Sequence, residues 1–229
     1  MATTTQTGLV PELRDGDRLT VAEFERRYHA APHIKKAELI EGLVFVASPV
    51  LDEQSQPHAE LTTWLGLYRI ATPHVIVASD GTIRLDMKNQ PQPDVHPRIA
   101  ADHGGQASRS EDGYVVGAPE LVAEIAVSSA ARDLGPKLEA YRRNGVREAI
   151  IWRVRDRAID WFILRDGRFE RLEPGEGGLT RSEVFPGLWL DPEALLRGDL
   201  VAVAEVVGRG LASPKHGDFV EALKRAGPR

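Results

Sequence analysis

The sequence predicts a mixed α/β fold in which a β-sheet and several β-hairpins are flanked by helices. Three observations support this fold class. A strand, a helix and a second strand follow one another between residues 120 and 154, which is the order of a crossover unit with parallel strands. Three pairs of short apolar runs are each joined by a tight turn that contains glycine, as in β-hairpins. Amphipathic helical segments lie between these runs.

The first half of the chain predicts two helices and two hairpins before a long loop. A capping box at Thr20 begins the first helix, and apolar residues at spacings of three and four define the second. The turn Asp80-Gly81 is expected to join the strands of the second hairpin. The predicted elements are a helix from Thr20, a hairpin over 37–47, a helix over 56–70, a hairpin with strands 75–78 and 82–85, and a polar loop over 89–113.

The second half predicts the crossover unit, a third hairpin and two further helices. Asp133 is expected to cap the crossover helix, because Pro136 fits the first turn of a helix but not its interior. Gly145 stands where the end of that helix favours a left-handed residue. The predicted elements are strands over 120–127 and 149–154, a helix over 133–144, a hairpin over 159–172, a helix opened by Asp191-Pro192, and a weak helix over 218–226.

The length and composition predict one domain with short additions at both ends. The chain has 229 residues, of which 42% are hydrophobic and 28% charged, as in globular proteins. We expect a flexible tail over 1–18, a single domain over 19–207, and a C-terminal tail with a short helix over 208–229. The first residues lack the basic start and apolar core of a signal peptide, and no apolar run reaches the roughly 18 residues of a membrane span. A cytoplasmic protein without a membrane partner is therefore expected.

Charge and cysteine content exclude several kinds of site. With no cysteine, disulfides, zinc–thiolate sites and thiol nucleophiles are excluded. The formal net charge is −5, whereas proteins that bind nucleic acid over their whole surface are usually basic. Such a role therefore requires a local patch, and the alternative for any basic run is a solvated surface. The candidate arginines are Arg142, Arg143, Arg147, Arg153, Arg155 and Arg157.

Glu124 stands out because side chains alternate between the two faces of the strand predicted over 120–127. Both faces of this strand are apolar except at Glu124, which is typical of a central strand covered on both sides. A buried carboxylate is costly unless it is paired, hydrogen-bonded or bound to a metal. Two interpretations remain open, namely a functional residue and a buried salt bridge to an arginine.

Asp94 and Lys137 are further candidates. Asp94 follows Pro93, whose fixed backbone angle presents it rigidly, although most Pro-Asp pairs are simply turn residues. Two carboxylates with oxygen-only ligation would suit a magnesium-type ion. Lys137 borders the predicted apolar stripe of the crossover helix, from which its ammonium could reach Glu124 and orient a water or neutralise a transition-state oxygen. The alternative for Lys137 is a stem on apolar surface with its head in solvent.

Several short motifs occur along the chain in a fixed order. They are Glu38-Leu39-Ile40-Glu41-Gly42, Ser48-Pro49, His58, Gln92-Pro93-Asp94-Val95, Ala118 to Ile125 with Glu124, Arg132-Asp133 through Lys137 and Tyr141, Gly145-Val146-Arg147-Glu148, and Val184 to Leu188. In order and spacing they resemble the PD-(D/E)XK nuclease superfamily, and within it the Uma-type family of proposed endonucleases. The resemblance spans residues 19 to 196.

The resemblance implies a restriction-endonuclease-like core, a mixed sheet flanked by helices, and a site that hydrolyses phosphodiester bonds with Mg²⁺ or Mn²⁺. Asp94 and Glu124 would bind the metal. Glu38 would be a further catalytic acid, with Glu41 as the competing choice. Nucleic acid, with DNA favoured over RNA, would be the substrate. A homodimer is plausible on separate grounds, because hairpins on a small sheet leave exposed edges.

Lys137 would replace the lysine that the superfamily usually places two residues after the glutamate, where Ala126 stands here. Tyr141 belongs to the same motif. The chain departs from the family pattern after Glu124, where it reads Ala126-Val127-Ser128-Ser129, and after Asp94, where it reads Val95-His96-Pro97-Arg98. Contacts to the nucleic-acid backbone are expected from Arg142, Arg143 and Arg147.

Three alternatives to an active nuclease remain. A catalytically inactive binding module on the same fold would agree with the acidic net charge and the altered motifs. A histidine-containing metal site can be drawn from residues close in sequence, namely Asp94, His96, Asp102 and His103. A serine nucleophile with a lysine base is conceivable for Ser128 or Ser129 with Lys137, although serine before a helix is more often a cap.

Overall fold

The computed structural model describes residues 9–228, which form seven α-helices, two short 3-10 helices and thirteen strands. In chain order, helices α1 to α7 are Val21–His29, Asp52–Ala71, Ala130–Asp133, Pro136–Arg143, Pro192–Leu196, Leu200–Leu211 and Pro214–Ala226. In chain order, strands β1 to β13 are Ala37–Ile40, Leu43–Val46, Val75–Ser79, Ile83–Arg84, Val95–Ile99, Ser108–Arg109, Val115–Val116, Leu121–Ala126, Glu148–Arg153, Ala158–Arg165, Arg168–Arg171, Thr180–Arg181 and Trp189–Leu190.

A six-stranded mixed sheet with the order β11-β10-β9-β8-β5-β3 forms the centre of the fold. Strands β8 and β9 pair in parallel, with Glu124 opposite Ile151, and helices α3 and α4 connect them. The other neighbours pair antiparallel. The predicted crossover unit is thereby confirmed, and so is the hairpin formed by β10 and β11.

The two faces of this sheet carry different layers. On one face, alternate residues of β8 join the main core together with Trp64 of α2, Trp161 of β10 and Val203 of α6. Trp64 packs edge-on against Trp161 with ring centroids 5.7 Å apart. On the other face, a smaller apolar cluster centres on Val122 and Tyr141. Glu124 lies on this second face, because it is two residues from Val122 along the strand.

The predicted elements before the second hairpin are confirmed. Thr20 caps α1 by accepting a hydrogen bond from the Glu23 backbone at 3.3 Å. The hairpin of β1 and β2 turns at Glu41 and Gly42, both with positive φ. Helix α2 is longer than expected and begins at Asp52.

The predicted second hairpin is wrong. Strand β3 pairs with β5, with Val75 opposite Ile99, whereas β4 pairs in parallel with β7 in a separate three-stranded sheet. Asp80 does adopt a turn conformation, with φ of 53°. The chain nevertheless leaves the sheet there, and β4 pairs with β7 instead of with the other edge of β3.

The predicted long loop over 89–113 is therefore wrong as well, since it contains β5 and β6. Asp94 lies just before β5, and His96 and Arg98 lie within it. These polar residues alternate along the chain with Val95 and Ile99, which belong to the main core. This alternation is that of a strand with one polar face. Polar residues and Pro97 conceal it when the segment is considered alone.

The crossover helix is broken, so the predicted cap at Asp133 is wrong. Helix α3 ends at Asp133, whose carboxylate accepts a hydrogen bond from Ser129 Oγ, and α4 begins with Pro136 as its first residue. Gly135 between them has φ −108° and ψ −111°, and a Cβ there would lie 2.6 Å from the Ala131 carbonyl oxygen. Only glycine fits this break. At the end of α4, Gly145 has the predicted left-handed φ of 82°.

The break also changes which side of α4 faces the sheet. The buried residues of this helix are Lys137, Ala140 and Tyr141, whereas Leu134 and Leu138 are only partly buried. The predicted buried stripe of Leu134, Leu138 and Tyr141 is therefore right for Tyr141 and wrong for the two leucines. Lys137 occupies a central buried position because the groups facing it are acidic.

The ends of the described chain pack on the rest of the fold. Asp191 caps α5 as predicted, and α7 starts at Pro214, earlier than the predicted helix over 218–226. Leu223 of α7 lies in the main core, and Leu13 is buried in a second cluster with Phe24. The predicted N-terminal tail lies partly outside the described residues, which begin at 9; the domain boundaries remain predictions. Within residues 9–228, no helix has the length and apolar character needed to cross a bilayer.

Candidate active site

Glu124 is buried in the middle of β8, with 2% of its surface exposed. Its Oε1 accepts a hydrogen bond from the Tyr141 hydroxyl at 2.6 Å, and its Oε2 lies 2.9 Å from Lys137 Nζ. Both partners come from α4, which covers this face of the sheet. The buried carboxylate is therefore paired with a lysine rather than with an arginine.

Lys137 is almost completely buried, with 1% of its side chain exposed. Its ammonium lies between two carboxylates, 2.9 Å from Glu124 Oε2 and 2.6 Å from Glu38 Oε1. The alternative of a lysine head in solvent is wrong, because two acidic groups compensate the cost of burying this charge. An ammonium has three donors, so one N–H remains beyond these two contacts.

Glu38 and not Glu41 lies beside Glu124. Glu38 on β1 is 3% exposed, and its Oε1 also accepts a hydrogen bond from the Gln92 backbone at 2.8 Å. Glu41 lies in the β1–β2 turn and pairs with Arg143 on the surface. The strand positions explain the difference, because Glu38 faces α4 whereas Glu41 is in the turn beyond it.

Asp94 is opposite Glu124 across two neighbouring strands. Val95 pairs with Ala123 in the antiparallel ladder of β5 and β8. Asp94, the residue before Val95, therefore faces Glu124, the residue after Ala123. Opposed residues of such strands have Cβ atoms about 4.5–5.5 Å apart. Asp94 Oδ2 accepts a hydrogen bond from the Ile125 backbone at 2.7 Å, and Oδ1 lies 2.7 Å from Lys36 Nζ. The predicted acid–acid–lysine set is thus gathered on one face of the sheet.

Comparison with known families matches residues 21–193 to the family described as "Uma2: Putative restriction endonuclease". The chain belongs to this family. The match covers more than half of the chain and includes every carboxylate and lysine named above. The predicted recognition is confirmed.

One solved structure similar to the chain is described as "a putative nuclease belonging to DUF820 from Anabaena variabilis ATCC 29413". The TM-score is 0.60 at 14% sequence identity, with 78% of this chain and 98% of that chain covered. Similarity at this identity concerns the fold, and it confirms the predicted mixed sheet flanked by helices. A search of curated protein sequences gave no match.

The pKa values of the two glutamates in this Uma2 site are shifted by burial and by neighbouring charges. Burial raises the pKa of Glu124 to about 8, and the nearby carboxylates of Asp94, Asp133 and Glu38 add to the shift against the opposing charge of Lys137. Burial is the largest influence on Glu38 and acts to raise its pKa, but the combined positive charges of Lys137, Arg132 and Lys36 outweigh it and lower the pKa of Glu38. Groups with perturbed pKa values that lie close together are typical of functional sites.

The site is bordered by partly exposed side chains on the side of Asp94 and Glu38, which are themselves buried. Lys36 and Arg132 are 23% and 29% exposed in their side chains. Lys36 contacts Asp94, and Arg132 lies 3.8 Å from Glu38 while stacking on the Phe45 ring. A third side chain at this rim, His58, makes a 3.0 Å hydrogen bond to the Asp94 backbone oxygen.

Lys36 and Asp80 are site residues that the sequence analysis missed. Asp80 lies 2.9 Å from Lys36 Nζ. A signal for Lys36 was present, because it stands two residues before Glu38 and therefore on the same side of an extended segment. No local signal identified Asp80, since Asp-Gly is an ordinary turn.

The donors present fit a divalent cation of the magnesium type. Asp94 and Glu124 supply only oxygen atoms from adjacent strands, which such ions prefer, and burial, with a smaller contribution from the neighbouring carboxylates, raises the pKa of Glu124. Within residues 9–228 no three acidic or histidine side chains already have the spacing of a metal cluster. The oxygens of Asp94 and Glu124 are instead paired with Lys36 and Lys137.

The alternative sites are not assembled. His96 is buried on β5, and His103 stacks on His74 at 3.6 Å and bonds to Asp102, so the proposed histidine cluster is absent from residues 9–228. Ser129 stands at the N-cap position of α3, but its side chain makes no capping hydrogen bond and its hydroxyl donates to the Asp133 carboxylate instead. Lys137 is engaged by its two glutamates.

The arginines expected to contact nucleic acid lie at the end of α4 and just beyond it. Arg142 pairs with Glu139, and Arg143 pairs with Glu139 and Glu41. Arg147 is exposed. All three are separated from Lys137 by the length of α4, so any contact they make would be with parts of a nucleic acid away from the carboxylates.

Proposed function

We propose that this chain is a metal-dependent endonuclease that hydrolyses phosphodiester bonds in nucleic acid, with DNA as the favoured substrate. The observation that carries the proposal is the opposition of Asp94 and Glu124 across β5 and β8, beside a fully buried lysine. Membership of the family described as "Putative restriction endonuclease" supports the reaction class.

Asp94 and Glu124 would hold a Mg²⁺ or Mn²⁺ ion. When bound, such an ion supplies Lewis-acid stabilisation of phosphate charge and lowers the pKa of water. The backbone N–H of Ile125 fixes one oxygen of Asp94, and the Tyr141 hydroxyl fixes one oxygen of Glu124. Each carboxylate is therefore oriented by one rigid donor, and its other oxygen is paired with a lysine, Lys36 for Asp94 and Lys137 for Glu124.

Lys137 would act through its charge and its remaining N–H. Glu38 and Glu124 hold the ammonium in place, so the third N–H has a fixed direction. A positioned ammonium can orient an attacking water or stabilise charge on a phosphate oxygen in the transition state. Glu38 is then the residue that positions Lys137 and balances its charge.

The tyrosine and the rim arginine complete the proposed site. Burial raises the pKa of Tyr141 well above its usual value, so its hydroxyl stays protonated and continues to donate to Glu124. Arg132 is the partly exposed guanidinium nearest to the acidic groups, and a planar guanidinium suits a phosphate. Arg142, Arg143 and Arg147 are proposed as more distant backbone contacts.

The test is cleavage of supercoiled plasmid DNA with Mg²⁺ or Mn²⁺ by the wild type and by Glu124→Gln and Asp94→Asn. Loss of a residue that merely supports a metal ligand costs 10- to 100-fold, so we expect a loss of at least about 100-fold for the proposed ligands. The matched control is Glu148→Gln, which changes a buried glutamate on the adjacent strand, assayed well below its melting temperature. Equal activity of Glu124→Gln and wild type would overturn the proposal.

A second candidate function is a nuclease-fold module that binds nucleic acid without cutting it. The pairing of the carboxylates with Lys36 and Lys137 favours it, because the site is charge-compensated by the protein itself. Calorimetry with Mn²⁺ separates the candidates: binding that is lost in Asp94→Asn supports the enzyme, whereas DNA binding without metal uptake supports the module. A cytoplasmic location and a homodimer remain predictions.

A further inference from the structure

Lys36 bridges two carboxylates at the partly exposed rim of the site. Its Nζ lies 2.7 Å from Asp94 Oδ1 and 2.9 Å from Asp80 Oδ1. The two aspartates are brought together by the sheet, because Ser79 pairs with Val95 in the ladder of β3 and β5. The Asp80 backbone N–H continues this ladder by donating to the Asp94 oxygen at 3.3 Å.

Together with Glu124, these aspartates form a row of acidic residues across three adjacent strands. Asp80 follows β3, Asp94 precedes β5, and Glu124 lies in β8 opposite Asp94. The Lys36 ammonium is thus placed as a cation between oxygen atoms of two neighbouring members of the row. Oxygen atoms of this kind are also what a divalent cation would bind.

The two lysines of the site differ in whether their ammonium groups can move away from the carboxylates into solvent. Lys137 is 1% exposed and shared by two buried glutamates, so no path leads its charge into water. The Lys36 side chain is 23% exposed, and its second partner Asp80 is 51% exposed. A long lysine side chain at such a rim can move its ammonium into solvent while its stem stays in place.

We propose that Lys36 is a built-in competitor of the metal ion, which pairs with Asp94 and Asp80 until a divalent cation displaces it. Asp80 is then a third acidic residue facing that cation. The inference rests on the proposed metal-dependent function and adds two residues to it. It predicts that the intrinsic affinity of the carboxylates for metal exceeds the affinity measured in the wild type.

The experiment is calorimetric titration of the full chain with Mn²⁺ alone, in the wild type and in Lys36→Met and Lys36→Gln. A unit positive charge next to a ligand opposes a cation strongly even at a moderate effective dielectric constant, so we expect removal of this charge to tighten Mn²⁺ binding by about tenfold or more. Lys36→Arg keeps the charge and is expected to bind as weakly as the wild type. Asp80→Asn is expected to weaken binding.

Lys224→Met is the matched control, because Lys224 also pairs with an acidic residue, Glu221, but on the surface of α7. It is expected to leave Mn²⁺ affinity unchanged. Thermal unfolding of each variant establishes that it is folded. Two neutral replacements of Lys36 are used so that the test can still be made if one of them does not fold.

The outcomes separate this inference from the function on which it rests. Tighter binding in both neutral variants, including binding that appears only in them, supports the inference. Mn²⁺ binding of the wild type that is unchanged or weakened in both neutral variants overturns the inference and leaves the metal-dependent function intact. No binding in any variant overturns both.

Discussion

Two buried glutamates on neighbouring strands of the central sheet have opposite surroundings. Glu124 of β8 faces α4 and is held by a tyrosine hydroxyl and a shared lysine. Glu148 of β9 pairs with Leu121 in the parallel ladder and faces the main core. Four neutral donors hold its carboxylate; they are Ser182 Oγ at 2.7 Å, Trp161 Nε1 at 3.1 Å, and the backbone N–H groups of Glu183 at 2.8 Å and Val184 at 3.1 Å.

The comparison separates a carboxylate that stabilises the fold from one that is available for chemistry. Every donor to Glu148 is fixed in place by the fold and carries no charge, so the carboxylate anchors the segment before Phe185. Glu124 shares its cation with Glu38 and lies opposite another acid, Asp94. Buried charges that are crowded in this way persist mainly where a function requires them.

Removing the shared ammonium is expected to have the largest effect on stability. Lys137→Met leaves Glu38 and Glu124 buried without their cation, and breaking such a pair lowers the free energy of unfolding by about 3–5 kcal/mol. Urea denaturation measures this change. Adding Glu124→Gln to Lys137→Met is expected to restore part of the loss, since it removes one of the two buried carboxyl groups left without a cation. A loss below about 1 kcal/mol would contradict the pairing that the structure shows.

Replacement by glutamine is expected to destabilise the fold more at Glu148 and to impair metal binding more at Glu124. Glu148→Gln presents an NH₂ group to donors and is expected to cost about 1–3 kcal/mol, the penalty for leaving buried groups unsatisfied. Glu124→Gln removes an ionisable carboxyl group from a crowded acidic cluster and is expected to cost less. Mn²⁺ binding is expected to be lost only in Glu124→Gln. If Glu148→Gln abolished metal binding in the folded protein, the comparison would fail.

Glu124 is expected to make the free energy of unfolding fall as pH rises. Burial raises the pKa of Glu124 to about 8, above the roughly 4.3 of an unfolded glutamate. Between these values the folded state binds the extra proton, so the free energy of unfolding falls as pH rises, by at most about 1.4 kcal/mol per pH unit. Burial lowers the pKa of His96 to about 4, which acts in the opposite direction, but only below about pH 6.5.

The measurement is the difference in unfolding free energy between the wild type and Glu124→Gln from pH 6.5 to pH 8. We expect the wild type to lose stability relative to the variant across this range. Glu148 and the histidines are present in both proteins, so their contributions cancel in the difference. Parallel pH profiles of the two proteins would show that Glu124 is ionised throughout.

Much of this site follows from local patterns in the sequence. Alternation along β8 identifies Glu124, because a single charge interrupts two apolar faces, and the prediction that Lys137 reaches it agrees with the contact at 2.9 Å. The parallel crossover also follows from the order of its elements. These features depend on residues close together in the chain, where periodicity determines which face a side chain occupies.

The remaining features depend on pairing between distant segments. The turn residues Asp80 and Gly81 predict a hairpin, but burial of Val75 against Ile99 across β3 and β5 determines the actual partner. Asp80 therefore joins the site through a strand that looked like a loop. The burial of Lys137 likewise depends on the break at Gly135, which rotates α4 relative to the periodicity of a continuous helix.

The smallest effects on stability are expected from the surface arginines, which are not buried as the two glutamates are. Arg142 and Arg143 form partly exposed ion pairs, and such pairs contribute about 0–1 kcal/mol to stability. Replacing Arg142, Arg143 and Arg147 together with glutamine should therefore leave unfolding almost unchanged.

Their effect on DNA binding is measured by the salt dependence of affinity. Each lost phosphate contact reduces the slope of log affinity against log salt by about 0.9, so a triple variant that has lost three contacts would show a slope smaller by about 2.7. Arg165→Gln is the control, because Arg165 is also exposed and paired, with Glu170 and Glu183, but is not one of the candidate arginines. An unchanged slope in the triple variant would identify the three arginines as solvated surface and leave Arg132, beside Glu38, as the arginine to test for phosphate contact. Electrostatic binding would then be concentrated at the rim of the acidic site rather than along the far end of α4.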